Sequence, residues 1–510
     1  MSRKISSSQY DVVIIGAGLG GLISAAVIAK KGFRVLVVEK NSYPGGCCSS
    51  FSKDGYIFNF GPSLFWGLDR GGPLYNLFEY LGIQESIKTQ NILRRIDPGI
   101  QIVLPDHRLD IYTERERLFE ELKREFPKYF KTLREFYNRV DYINSEIFEA
   151  YSNYPFNIKR EGDGRANSNS KFITLLSRDI KRMSLPKSIR NFFTRYSWDM
   201  SIKDFFSLQT LFFGQVDSSD APLPFFTRVL TIPLKGLYYP LAGSQGFANF
   251  LADRVFDLGG EIKYNVNVKS LLFDRKKAKG IRYDEGVISK SIHAKKIIAN
   301  TSIFNLKDSL ISEELPRERL VKKFRDIKGR WTIFSLFLGV DSKAVPEPIK
   351  ENLLMYTDSY EAPEERRILY VHTSPEWDRK RAPGGKRALT ALSVFPVENW
   401  KGDEGELKKK NIEKIIADLK RIIPFIEGNF NIVDMMTPPK FEKLLSRPEG
   451  IVGNLNGGYK KNRFNFYGLS HNLPLKNLYL VGEEAYPGYG TTNVMFSGFH
   501  AAERIIEDLK

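Results

Sequence analysis

Residues 12–21 read Val-Val-Ile-Ile-Gly-Ala-Gly-Leu-Gly-Gly, and a second apolar run, Val35-Leu-Val-Val38, ends on Glu39. A strand, a glycine turn, a helix and a second strand closed by an acid make a unit that seats the ADP half of a dinucleotide. Each part has its own physical task. Gly16 permits the tight turn, Gly18 lets a pyrophosphate approach the backbone, and Gly21 lets the helix lie close on the strand, with Ala25 and Gly32 expected on the packing face. Leu19 and Gly20 open the helix, whose unpaired N–H groups and positive dipole end favour phosphate. Glu39 is placed to accept hydrogen bonds from both ribose hydroxyls, and its charge repels a 2′-phosphate; Lys40 follows it.

The stretch Val12–Ala29 carries no charge and follows Arg3 and Lys4, so its length also fits a membrane span or a signal peptide. Glycines at dinucleotide spacing explain it better than a bilayer does. No other stretch reaches spanning length, which predicts a chain without a transmembrane helix that keeps its N-terminus.

At 510 residues the chain exceeds what one hydrophobic core usually holds, so two closely joined domains are expected. Its two cysteines, Cys47 and Cys48, are adjacent and cannot make a disulfide framework, which points to a reducing, cytoplasmic setting. They read either as a redox dithiol or as small buried residues beside a cofactor. The five histidines (His107, His293, His372, His471, His500) show no ligand spacing, so no metal is expected. The net charge of +17 arises from 77 basic and 60 acidic side chains, and no nucleic-acid module accompanies it. Between Lys171 and Lys203, basic residues including Lys181, Arg182, Lys187 and Arg190 alternate with Phe172, Leu176, Phe192, Trp198 and other apolar residues. Such a stretch suits a peripheral membrane surface, or an ordinary solvated helix face over a core.

Helical, aromatic-rich sequence is expected from about 74 to 230, broken by a polar loop at Glu161–Ser170. Tyr239–Gly246 leads into another helix ending at Gly259-Gly260, followed by a β-rich run to Ala299. Trp331–Val340 and Leu389–Phe395 read as strands, Leu407–Ile423 and Thr491–Leu509 as helices, and Leu478–Val481 as a strand. The expected organisation threads a dinucleotide-binding domain (1–90, 231–305, 466–510) with a substrate domain (91–230, 306–465).

Three separated stretches resemble FAD-dependent oxidoreductases of the amine oxidase and phytoene desaturase type. Pro44-Gly45-Gly46 is similar to the paired glycines that follow the dinucleotide unit there. Gly259-Gly260, Ile262 and Val268 resemble a central strand pair in which a valine backbone meets the adenine. Val481-Gly-Glu-Glu-Ala-Tyr-Pro-Gly-Tyr-Gly490, with Thr491, Thr492, Asn493 and Phe496-Ser-Gly498, resembles the C-terminal flavin motif. Within that superfamily the ending is similar to carotenoid isomerases and phytoene desaturases, and Gly45-Gly-Cys-Cys48 to retinol saturases. The resemblance implies an α/β fold: a Rossmann-type FAD-binding domain of the glutathione-reductase and amine-oxidase kind, with an interleaved mixed α+β substrate domain. It implies FAD, and a hydrophobic polyene or isoprenoid substrate met at a membrane surface.

Under that resemblance Gly482 and Glu483 end a strand, Glu483 standing where the family usually carries Asp to hold the ribityl chain. Pro487, Gly488 and Gly490 shape a turn that presents the next helix's N-terminus to the pyrimidine side of a flavin. Cys47 stands where many relatives carry a basic residue. Glu484, Tyr486 and Tyr489 are the candidate catalytic residues, because this motif should border the flavin; Glu484 reads as a proton donor or acceptor, or as an exposed carboxylate favoured by the helix dipole. Phe60, Phe65 and Trp66 line a channel or belong to the core. No second G-x-G-x-x-G occurs, so the readings are quinone or oxygen as electron acceptor, reduced FAD without net turnover, or an NAD(P)H site on another scaffold. Carotenoid isomerase or desaturase activity leads; retinol-saturase-like reduction, an amine or porphyrinogen oxidase, and a prenyl-binding protein of the GDP-dissociation-inhibitor type are the alternatives.

Overall fold

In the computed structural model, which describes residues 10–61, 63–142, 196, 198–214, 223–311, 329–356, 367–455 and 469–510, the opening apolar run forms strand β1 (Tyr10–Ile15). The glycine turn leads into helix α1 (Leu19–Lys30) and strand β2 (Val35–Val38). Every α1 residue from Leu19 to Ala29 is buried. The helix is apolar all round because it is wedged between the sheet and the C-terminal helix Thr491–Leu509. The close approach rests on glycine. A Cβ on Gly498 would lie 2.1 Å from the Gly20 carbonyl, and one on Gly20 would lie 2.7 Å from Val481 Cγ1. Gly32 does not pack on anything: a Cβ there meets open space, and its φ of +82° ends the helix.

Seven described strands make the first sheet, in the order Glu261–Lys263, β2, β1, Ile288–Ala299, Lys277–Glu285, Val268–Asp274, with Leu478–Leu480 also on Ile288–Ala299. The four strands β2, β1, Ile288–Ala299 and Leu478–Leu480 run parallel, with Ile14 opposite Val37 and Ile298. Their carboxyl ends therefore lie at one edge, where Gly16, Glu39, Asn300 and Gly482 emerge together, the position at which such sheets bind ligands. The expected strand pair after Gly259-Gly260 does not form. Glu261–Lys263 is a parallel edge strand on β2, whereas Val268 opens an antiparallel meander on the far side of the sheet.

The second sheet runs Phe430–Met436, Gly329–Asp341, Lys386–Pro396, Ile368–Thr373, Asn352–Tyr356, Ile100–Val103, Arg108–Ile111, with Val452–Leu455 also on Gly329–Asp341. Strand period two divides its faces. Phe334, Leu336 and Leu338 pack under the helix Glu404–Ile422 through Ile415, Leu419 and Ile422, while Trp331, Ile333, Ile368, Tyr370, Leu392 and Val394 turn to the opposite face. Residues 93–111, expected to be helical, instead supply Leu93–Ile96, Ile100–Val103 and Arg108–Ile111. Apolar runs this short do not separate the two periodicities, and pairing with other strands decides them. A small sheet of Phe65–Trp66, Leu237–Pro240 and Leu93–Ile96 connects these parts.

The basic stretch from Lys171 to Arg195 and the loop Glu161–Ser170 lie outside the described residues. Trp198 is core, edge-on to Phe136 and tilted against Phe206 near the helix Met200–Gly214. Among the described residues, no helix is long and apolar enough to cross a membrane.

Candidate active site

The phosphate turn is built as its glycines require. Gly16 has φ +98°, and a Cβ on it would sit 2.5 Å from the Asn300 carbonyl; a Cβ on Gly21 would sit 2.3 Å from the Gly16 carbonyl. The paired-glycine turn docks directly on it: the Gly45 N–H donates to the Ala17 carbonyl at 2.8 Å, and Gly45 and Gly46 take φ of +118° and +58°. Glu39 is buried and already braces this turn. Its Oε2 accepts from Ala17 N at 2.8 Å and its Oε1 from Asn41 N at 2.9 Å. Oε1 accepts a second bond, from Asn41 Nδ2 at 2.9 Å, which leaves Oε2 as the oxygen with acceptor capacity for a ribose hydroxyl.

One cavity is bordered by Gly16, Gly18, Leu19, Glu39, Lys40, Gly45, Gly46, Cys47, Val268, Gly482, Glu483, Glu484, Tyr489, Gly490, Thr491 and Asn493. Gly20, Gly21, Thr492 and Tyr486 are not on its wall. The first two serve helix packing; Thr492 donates to the Trp66 carbonyl at 2.8 Å and so anchors the C-terminal helix. Tyr486 is buried, its ring 5.4 Å from that of His500. Trp66 borders the cavity, whereas Phe65 packs on Phe247 and Phe60 on Phe51. The part of the wall made by Leu64, Leu211, Phe212, Ile232, Leu237, Ile368, Leu392 and Val394 is apolar, with Ser63 and Tyr370 as polar points, while Asn300, Ser302, Asn305, Ser446 and Arg447 border the cavity elsewhere.

Helix α1 and the helix Thr491–Leu509 both begin at this cavity, capped by Gly18 and Gly490, and neither carries an acid in its first turn. Their N–H groups and dipoles thus favour negative charge on a bound group. The Gly16, Gly18, Gly45 and Gly46 cradle, which side chains would fill, and the adjoining apolar wall fit FAD. Cys47 and Cys48 are free thiols; burial pushes Cys47 up to about 12, which keeps it neutral. Among the described residues no group of His, Cys, Asp and Glu could hold a metal ion.

Two site residues carry no signal in the sequence. Asn300 leaves the strand Ile288–Ala299 and donates through Nδ2 to the Gly16 carbonyl at 3.2 Å. Arg447 arrives from the turn after helix Pro438–Leu445. Ser446 and Glu449 on either side of it hold φ of +54° and +55°, a left-handed conformation uncommon outside glycine. The turn is fixed from several sides: Lys40 Nζ donates to Ser446 Oγ at 2.7 Å, Ser302 Oγ to the Ser446 carbonyl at 3.0 Å, and Thr332 Oγ1 to the Gly450 carbonyl at 3.0 Å.

Arg447 Nη1 donates to Glu483 Oε1, which also accepts from Gly453 N at 3.1 Å. Its Nη2 lies 3.8 Å from Glu484 Oε1. Glu484 is buried; the Ile303 N–H donates to its Oε2, and Oε1 has no hydrogen-bond partner. Burial, reinforced by Glu483 and only partly offset by Arg447 and the Ile303 N–H, raises the Glu484 carboxyl to about 7. A carboxyl raised on folding holds more protons folded than unfolded. Its stabilisation is complete below the ordinary carboxylate range and is lost as pH climbs towards 7, by roughly 3 kcal/mol in all. Urea unfolding at about pH 5 and about pH 8 should show that loss in the wild type and a flatter profile in Glu484→Gln; equal slopes would contradict it.

The sheet order, the glycine cradle and the paired helix ends define a dinucleotide-dependent oxidoreductase fold. Residues 19–506 match the flavin containing amine oxidoreductases, and the chain belongs to that family. Its cofactor is accordingly FAD. The chain is 27% identical to the chloroplastic prolycopene isomerase of Arabidopsis thaliana, over 99% of this chain and 84% of that one. It is 24% identical to the zeta-carotene-forming phytoene desaturase of Myxococcus xanthus, over 98% and 95%. In fold it matches an oxidoreductase from Methanosarcina mazei, with a TM-score of 0.63 and 20% identity over 96% and 99% of the two chains.

Proposed function

We propose that this flavoenzyme isomerises or desaturates a conjugated isoprenoid chain. The observation that carries the reading is a single cavity with a dinucleotide cradle on one side and an apolar wall from the second sheet on the other. A polyene needs no charged group to orient it, and Leu64, Phe212, Ile368, Leu392 and Val394 offer it dispersion contacts and exclude water. The names borne by the isomerase and desaturase relatives support the same substrate class.

FAD, when bound, accepts or returns a hydride. Glu39, Asn300 and the glycines would hold its adenosine and phosphates, Val268 would border the adenine, and Gly482, Glu483, Gly490, Thr491 and Asn493 would hold the flavin end. Desaturation removes a hydride from one carbon and a proton from its neighbour, so a base is required. Glu484, with a carboxyl raised to near neutrality, is the residue of this wall suited to take or give that proton. Tyr489 borders the same end and orients Asn493, whose Nδ2 donates to its carbonyl at 2.6 Å. That proton store also favours a second reading, saturase-type reduction, in which hydride and proton are added to adjacent carbons.

The test is anaerobic incubation of the FAD-loaded protein with cis and trans carotenoids, with the flavin first oxidised and then reduced, followed by product analysis. Unchanged mass with altered geometry, only under reduced flavin, means isomerisation; loss or gain of two hydrogens means desaturation or reduction. Flavin bleached by an amine but untouched by every polyene would overturn the reading.

In the desaturase reading the electrons pass to quinone or oxygen. The proposal includes peripheral docking on a membrane from the cytoplasm, supported by the basic amphipathic sequence between Lys171 and Lys203. Replacing Lys181, Arg182, Lys187 and Arg190 with Glu should abolish flotation with anionic vesicles. Unchanged flotation would refute a role for this stretch.

A further inference from the structure

The cluster at the flavin end of the cavity has an unbalanced charge count. One guanidinium, Arg447, serves two carboxylates, Glu483 and Glu484, with side chains only 12%, 17% and 4% exposed. The Cys47 thiol beside them is neutral, and the remaining group against Glu484 is the uncharged Ile303 N–H. A desolvated site with one cation and two acids is neutral only when one acid keeps its proton.

The hydrogen bonds decide which acid that is. Glu483 Oε1 receives both Arg447 Nη1 and Gly453 N, so it is the acid whose charge is satisfied. Glu484 has the looser contact with Arg447, at 3.8 Å, and that same oxygen, Oε1, lacks any hydrogen-bond partner.

We propose that Arg447 is a positioning residue that commits its charge to Glu483 and so leaves Glu484 as the cavity's proton-bearing acid. It is delivered across the cavity by the turn that precedes Val452–Leu455 of the second sheet, and no residue on the Gly482–Gly490 segment itself can do this work. The fixed backbone of Ser446 to Gly450, held by Lys40, Ser302 and Thr332, keeps the guanidinium at the carboxylates rather than in solvent. The inference rests on the reading of Glu484 as the proton-exchanging residue, but it concerns ionisation and can be tested without any polyene.

The experiment follows the protonated carboxyl of Glu484 by infrared difference spectroscopy of the FAD-loaded protein across a pH titration, with Glu484→Gln assigning the band. In the wild type the band should vanish with a midpoint near neutrality. Glu483→Gln, which removes a neighbouring negative charge, should lower that midpoint by about one unit; Arg447→Met should raise it by about one unit or more; Arg447→Lys should stay near the wild type. If Arg447→Met does not fold, the comparison of Glu483→Gln with the wild type decides alone. A Glu484 ionised throughout the titration, or a midpoint unmoved by Glu483→Gln, overturns the proposal. Correct midpoints in a protein inert towards every polyene would uphold it and sink the proposed function instead.

Discussion

Gly16→Val should yield a folded but colourless protein, with FAD bound at least about a hundredfold more weakly than by the wild type. The Gly16 φ of +98° is strained for any side chain, and a Cβ would sit 2.5 Å from the backbone carbonyl of Asn300. Backbone cannot swing aside as a side-chain tip can, so β1 and the strand Ile288–Ala299 must part, or the turn must open. Either change moves the N–H groups at the start of α1 away from the phosphates. About 3 kcal/mol of lost binding corresponds to the hundredfold. Absorbance of the flavin after reconstitution and gel filtration reads the effect directly. A yellow variant with wild-type affinity would show that the turn does not carry the phosphates.

Arg447→Met should be the most damaging single change away from the glycine turns. It leaves Glu483 and Glu484 facing each other in a desolvated site without their cation. Removing one partner of such a cluster costs about 3 kcal/mol, the lower part of the usual range because the side chains retain some exposure to the cavity. The sign of its pH dependence is fixed by the carboxylates. The loss relative to wild type should be largest above neutrality, where both acids are charged, and should shrink as acid protonates them. Urea unfolding of the two proteins over that range provides the measurement, and a loss that grows towards acid would contradict the assignment.

How far the sequence alone leads differs between these two residues. Gly16, Glu39 and the helix Thr491–Leu509 are legible because each demand is local: a positive φ, an acid closing a strand, a 3.6-residue period running from a Gly/Pro turn. The family resemblance added FAD through short contiguous motifs. Asn300 and Arg447 were not legible. Arg447 meets Glu483 across 36 positions, and Ile303 meets Glu484 across 181, on turns whose own sequence says nothing of the partner. Tyr486 and Gly20 show the converse. Their place in a motif suggested the site, but Tyr486 turns its ring into the core and Gly20 lies where two helices cross closely. In residues 93–111 the local pattern was ambiguous and tertiary pairing chose strands.

Where the cofactor lies decides the rest, and a crystal structure of the FAD-loaded protein measures that. It should show the adenosine between Glu39 and Val268, the diphosphate against Gly16, Gly18 and Gly45, and the flavin ring between Glu484 and the start of the helix Thr491–Leu509. A flavin seated anywhere else, or a trough that stays empty in fully folded protein at saturating FAD, would contradict it.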